Sequence, residues 1–305
     1  MFSLPTNWEL ASLLAKLLLY MGAASIAGGI LATWRYSSSN RSVLSFNFSY
    51  ILIGSVVGFQ GVLLGFLVQI GLINDSSISG MFDWGMSSIM FDTVLGDVTV
   101  MRLLAFVLAA ASSLYLITRA QSAGLNLASM GAQHALFFLL LALFLIAYSH
   151  RMVGHVSILS VIAQTSVVLH FFAFTAWIGC LVPFLQLSQA TDIETLRCAL
   201  KRFGDNAVVI LLVLFAAGVG MLLELLHSPM ELVTTNYGAA LIIKFVLVLA
   251  ILCVAALNKL YLVPALGNEN SVAKLQRSIR YEICLAFFIL LITSYLSTII
   301  GPAVH

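Results

Sequence analysis

The residues best suited to chemistry in this 305-residue chain are its histidines and methionines. His150 and His155 flank the tetrapeptide Arg-Met-Val-Gly, which contains Met152, and His170 follows fifteen residues after His155. His227 lies on one helical face with Glu224 and Met221, at the spacing i, i+3, i+6. Neutral imidazole and thioether are ligands that suit copper, and the soft thioether selects the cuprous ion. Singly, each histidine is explained as well by a helix cap or an interfacial position. The group carries more weight, because separate chain segments bring histidine to the same depth.

The elements that must hold these residues are long apolar runs. Hydrophobic residues make up 61% of the chain and charged residues 9%, with mean hydropathy +1.08. A soluble domain carries roughly 25% charged residues. About 20 apolar residues span the hydrocarbon core as a helix, and eight runs qualify: 10–34, 48–73, 98–118, 132–149, 159–187, 207–227, 239–263 and 283–300. The expected fold is all-α, a polytopic membrane protein of eight transmembrane helices. The first run lacks a basic start and is interrupted by Lys16, so it reads as a span and not as a cleaved signal.

Basic residues orient the bundle. Arg35, Arg41, Arg119, Arg197, Lys201, Arg202, Lys259, Lys274, Arg277 and Arg280 fall in the loops after the odd-numbered spans, whereas Arg151 alone falls on the other side. This places both termini outside the cytoplasm. His134 is then cytoplasmic, and the other five histidines, His305 included, gather toward the outer face. The outer loop 74–97 carries four aspartates and no cation, and Met81, Phe82, Met86, Ile89 and Met90 fit a short helix lying in the interface.

An internal echo divides the chain. Thr93-Val-Leu-Gly96 is followed six residues later by Arg102, and Thr235-Asn-Tyr-Gly238 six residues later by Lys244. Ala27-Gly-Gly-Ile-Leu31 loosely matches Trp177-Ile-Gly-Cys-Leu181. Two parallel four-helix halves follow, residues 1–150 and 151–305. Arg102 and Lys244 lie within the bilayer, where a charge snorkels, pairs or faces a cavity. Glu224 is a candidate ion-pair partner for Lys244.

Several function classes drop out. A net charge of +2 gives no reason to expect nucleic acid. The four cysteines form no CxxC, so neither a zinc site nor a disulfide framework is indicated. No HExxH, GxSxG or phosphate-cradling glycine loop is present, and no enzymatic activity is expected.

From residue 145 onward the order of motifs resembles a known family. Ser149-His150 and Gly154-His155 precede Leu169-His170-Phe-Phe-Ala-Phe-Thr-Ala-Trp177-Ile-Gly179-Cys-Leu-Val-Pro183. Arg202-Phe-Gly204, Tyr237-Gly238, Lys244, Ala256-Leu-Asn258-Lys259-Leu-Tyr-Leu-Val-Pro264, and Arg277, Arg280 and Glu282 follow. This order resembles the copper-resistance D (CopD-like) inner-membrane proteins. The resemblance implies a multi-pass protein of the bacterial inner membrane, with periplasmic termini, that handles copper beside a small periplasmic copper-binding protein of the CopC type. The family's Gly-His falls on Gly154-His155, and its helical His and Trp on His170 and Trp177. One departure is Gly179-Cys180, where many relatives carry Gly-Gly.

The expected mechanism is capture of copper, as Cu(I) or Cu(II), at the outer face by His150, His155 and His170, with Met152 as a soft ligand. His227, Glu224 and Met221 form a second site or line the path, and Trp177 walls the space below His170. Uptake into the cytoplasm and relay to cuproproteins both stay open. The rival expectation is a b-type haem electron-transfer protein with helical histidines as axial ligands.

Overall fold

A computed structural model describes residues 5–36, 40–74, 78–122, 126–226 and 228–300; the side chain of His155 lies outside the description. Helices account for nearly all of these residues, with no strand among them. Eight helical stretches are long and apolar enough to cross a membrane, as the sequence implied. Span 1 is α1 (Asn7–Leu31) with a π-helical turn at Ala32–Tyr36. Span 2 is α2 (Arg41–Ile73), and α3 (Trp84–Phe91) is the short helix expected in the acidic loop. Spans 3 and 4 are α4 (Val94–Gln121) and α5 (Met130–Ser149). Span 5 divides into α6 (Val161–Gly179) and α7 (Leu181–Ala190). Span 6 is α8 (Ile193–Leu225), and α9 (Glu231–Thr234) is a single turn. Span 7 is α10 (Asn236–Leu257) with a second π-helical turn at Asn258–Leu262, and span 8 is α11 (Glu269–Thr298).

Local chemistry sets the boundaries. The side chains of Thr6, Asn40, Thr93, Ser129, Ser160, Asp192, Thr235 and Asn268 each accept a backbone N–H at a helix start. α8 and α11 begin fourteen residues before their apolar runs, because amphipathic turns continue the helix past the hydrocarbon. Span 5 breaks where Pro183 cannot donate to the carbonyl of Gly179, four residues back.

The echoed motifs mark a shared local structure. Thr93 and Thr235 cap α4 and α10, and Gly96 and Gly238 lie under the short helices folded back on those starts. A Cβ on Gly96 would lie 2.2 Å from the Phe91 carbonyl oxygen, and one on Gly238 2.2 Å from that of Glu231. Both positions require glycine for close backbone approach.

The Ala27 and Trp177 motifs face each other. A Cβ on Gly28 would lie 1.9 Å from the carbonyl of Gly179, so α1 and α6 cross backbone to backbone. One apolar cluster joins α1, α2, α4 and α5 through buried residues such as Ile26, Phe48, Phe106 and Leu139. A second joins α6, α7, α8, α10 and α11 around Trp177, Phe184, Leu214, Ile251 and Ile279.

Candidate metal site

His150 caps the C-terminus of α5. Its ring lies 4.4 Å from that of Phe171 and 5.8 Å from that of Tyr20. Its Nε2 is shut off from solvent and has no hydrogen-bond partner among the described residues. A buried polar atom without a partner is costly and calls for an explanation. The neighbouring Ser149 hydroxyl donates to the Ile146 carbonyl at 2.6 Å and accepts from Arg102 Nε at 2.6 Å. Lys16 donates through Nζ to the carbonyl and hydroxyl oxygens of Ser297, at 2.9 and 3.1 Å. Lys16 and Arg102 are both within electrostatic reach of His150.

His170 stands on α6 against α8. Its Nδ1 lies 3.1 Å from the Leu214 carbonyl oxygen. A carbonyl only accepts, so Nδ1 carries the hydrogen and the Nε2 lone pair is left to ligate. Gly218 gives the ring room, since a Cβ there would lie 3.4 Å from Cε1. Lys244 on α10 is within electrostatic reach of this imidazole.

Aromatic rings connect the two histidines. From His150 the contacts run to Phe171, from Phe171 to Phe174 at 5.1 Å, and from Phe174 to His170 at 6.4 Å. Tyr20 packs against both phenylalanines, at 6.2 and 5.8 Å. Among the described residues, no three His, Cys, Asp or Glu side chains gather as a metal site. The arrangement offers separate single imidazoles along an aromatic chain.

The other predicted residues are distributed as follows. His227 and the His155 side chain lie outside the described residues. The turn before His155 depends on Gly154, whose φ of 74° suits glycine. Met152 follows in the turn after α5, its N–H donating to the Ser149 carbonyl at 3.2 Å, and is half-buried, as is Met221 on α8. Glu224 accepts from the backbone N–H of Ser160 at 3.2 Å and from the Ser160 hydroxyl, closing the N-terminus of α6. It does not form the expected ion pair with Lys244, because the α6 terminus, with its free N–H groups, is the nearer partner. Trp177 is buried in the second cluster with Cys180 and Phe184. Arg102 binds a hydroxyl where a carboxylate was one expectation.

The sequence reading passed over Lys16, Tyr20, Ser149 and Ser297 as partners of the site. Phe171 and Phe174 were legible only as apolar neighbours of His170. A buried pair at the opposite end was also missed: Asn258 Nδ2 donates to Glu282 Oε1, and Glu282 is 4% exposed. That pair lies where span 7 widens into its π-helical turn.

No curated protein and no solved structure matches the chain. Residues 197–296, which build most of α8, all of α10 and most of α11, match the family model described as copper resistance protein D, and over this third of the chain the similarity is to a copper-resistance membrane protein.

Proposed function

We propose that this protein carries copper into or across the bacterial inner membrane, taking it up at the end of the bundle that holds His150. The distribution of Lys and Arg makes that end periplasmic, with both termini on the same side. A CopC-like periplasmic protein is the donor in this reading, and copper is cargo, not a resident cofactor. The carrying observation is the buried, unpartnered Nε2 of His150 beside an aromatic chain that leads to His170.

The donor set fits copper. His150 and His170 each present a nitrogen lone pair, and Met152 follows His150 by two residues. Single-imidazole stations bind weakly, which permits exchange, whereas a closed multidentate site would hold the ion. The charges nearby favour the cuprous state. Arg102 binds Ser149 next to His150, and Lys16 stands one turn before Tyr20, whose ring packs on His150. Coulomb repulsion scales with ion charge, so Cu(II) is repelled twice as strongly as Cu(I). Thioether ligation points the same way.

The test is metal analysis of purified protein after copper loading, with wild type, His150→Ala and His170→Ala compared. Each substitution is expected to lower bound copper. Equal copper in all three proteins would overturn the reading. The haem alternative draws no support from the site, because Phe171 and Phe174 fill the path between these two imidazoles.

A further inference from the structure

Lys16 of α1 and Arg102 of α4 are half-buried toward the His150 end: Lys16 stands one turn before Tyr20, whose ring lies 5.8 Å from that of His150, and Arg102 binds Ser149, the residue before His150. Among the described residues neither meets a carboxylate. The two ion pairs among the described residues, Arg197–Glu194 at 2.9 Å and Lys259–Asp205 at 3.2 Å, lie at the opposite end. The described residues give both cations only neutral acceptors: Ser149 for Arg102, and Ser297 for Lys16. Charges in such a place ordinarily pair with opposite charge, and two like charges together raise the penalty further.

Donor capacity is left over. Arg102 uses its Nε on Ser149, which leaves its two terminal nitrogens, the half of the fork that matches two oxygens of one anion. Lys16 places two contacts on one residue and keeps a third N–H. The buried hydroxyls of Ser294 and Thr298, on the stretch of α11 that Lys16 touches, have no partner among the described residues either. The described surroundings thus lack negative charge and have hydrogen-bond donors to spare.

We propose that Lys16 and Arg102 form a binding site for an oxyanion of the phosphate class, set among α1, α4, α5 and α11. Its occupant supplies the negative charge that the described part of the chain does not. The phosphate comes either from a lipid headgroup or from free inorganic phosphate. Neither cation is a metal ligand.

The experiment uses the full chain in a neutral detergent, with wild type, Lys16→Gln and Arg102→Gln compared. Inorganic phosphate is titrated while thermal unfolding and binding heat are followed, and native mass spectrometry counts retained phospholipid. A phosphate-dependent rise in unfolding temperature in wild type, with affinity about tenfold or more weaker in each variant, supports the site with free phosphate as occupant. A phospholipid retained by wild type and lost from both variants supports it with a lipid occupant. Wild type that neither responds to phosphate nor retains lipid overturns the proposal, as do variants that behave like wild type in both measurements. If one variant fails to fold, the wild-type titration and the other variant still decide.

Discussion

The first four spans and the last four solve the same packing problem differently. In spans 1 and 2, 56% and 44% of the apolar window is buried inside the protein, against 11% and 17% in spans 6 and 7. α1 and α2 approach through glycines: a Cβ on Gly22 would lie 2.6 Å from the Gly54 carbonyl oxygen and from the Gly58 Cα. α8 leans on α6 and α10 on α11, and each turns a broad apolar face outward, as Leu223 at 76% and Leu249 at 62% exposure show. Inside a bilayer no hydrophobic force drives helices together, so close packing needs small residues. The first region has them at its contacts. The second has fewer, at Gly218 and Gly220 where α8 meets α6, and gives much of the surface of α8 and α10 to lipid, yet it is the part that carries the copper resistance D pattern.

The sharpest way to break this contrast is steric. Gly22→Val is expected to abolish monodisperse folded protein, because its side chain would meet backbone that cannot yield. Gly204→Ala on α8 faces only the flexible stem of Lys259, at 3.3 Å, and should change stability by no more than about 1 kcal/mol. Size-exclusion profiles and unfolding temperatures measure both. Equal damage from the two would erase the distinction.

A smaller effect comes from truncating apolar side chains. Ile26, fully buried on α1, should lose about 2–5 kcal/mol when changed to Ala. Leu223→Ala on the lipid-facing surface of α8 should stay within about 0.5 kcal/mol. Equilibrium unfolding in detergent reads both, and a large loss at Leu223 would show that a partner covers that face.

The smallest effect is a pH dependence at the start of α8, which burial supports least. The Thr195 backbone N–H and hydroxyl, donating at 2.9 and 2.8 Å, hold the Asp192 carboxyl below its ordinary range. A depressed carboxyl contributes stability above the ordinary carboxylate range and loses it as pH falls through its folded value. Wild type should therefore lose slightly more stability on acidification than Asp192→Asn, which keeps a capping oxygen without the charge. Identical acid profiles would remove the ionised cap from the account of α8.

Much of the architecture was legible because the bilayer imposes a length and a polarity on every span. The apolar runs marked all eight helices, and the pattern at Met86, Ile89 and Met90 marked the short helix of the acidic loop, whereas Met81 and Phe82 belong to the turn before it. Helix starts were less visible at α8 and α11, where charged amphipathic turns belong to the helix but not to the hydrocarbon. The break in span 5 had a signal in Pro183. The site was legible in residue type and not in partnership. Nothing in local spacing says that Glu224 closes the start of α6, that Phe171 and Phe174 lie along the path between two imidazoles, or that Lys16 and Ser297, at opposite ends of the chain, share a hydrogen bond. Such contacts depend on which helices become neighbours, which a periodic apolar pattern leaves open.

The crossing at Gly28 and Gly179 has a mechanical consequence. Where two rods touch backbone to backbone, no side chain stands between them, so that level sets how closely the helices approach. Tyr20 and Tyr36 lie eight residues to either side of Gly28 on the same rod, about 12 Å away each. Tyr20 rests on Phe171 and Phe174, and Tyr36 rests on Phe184 and Phe203 and accepts from Asn206 at 2.8 Å. The crossing is thus braced on both sides by aromatic rings packed along one helix.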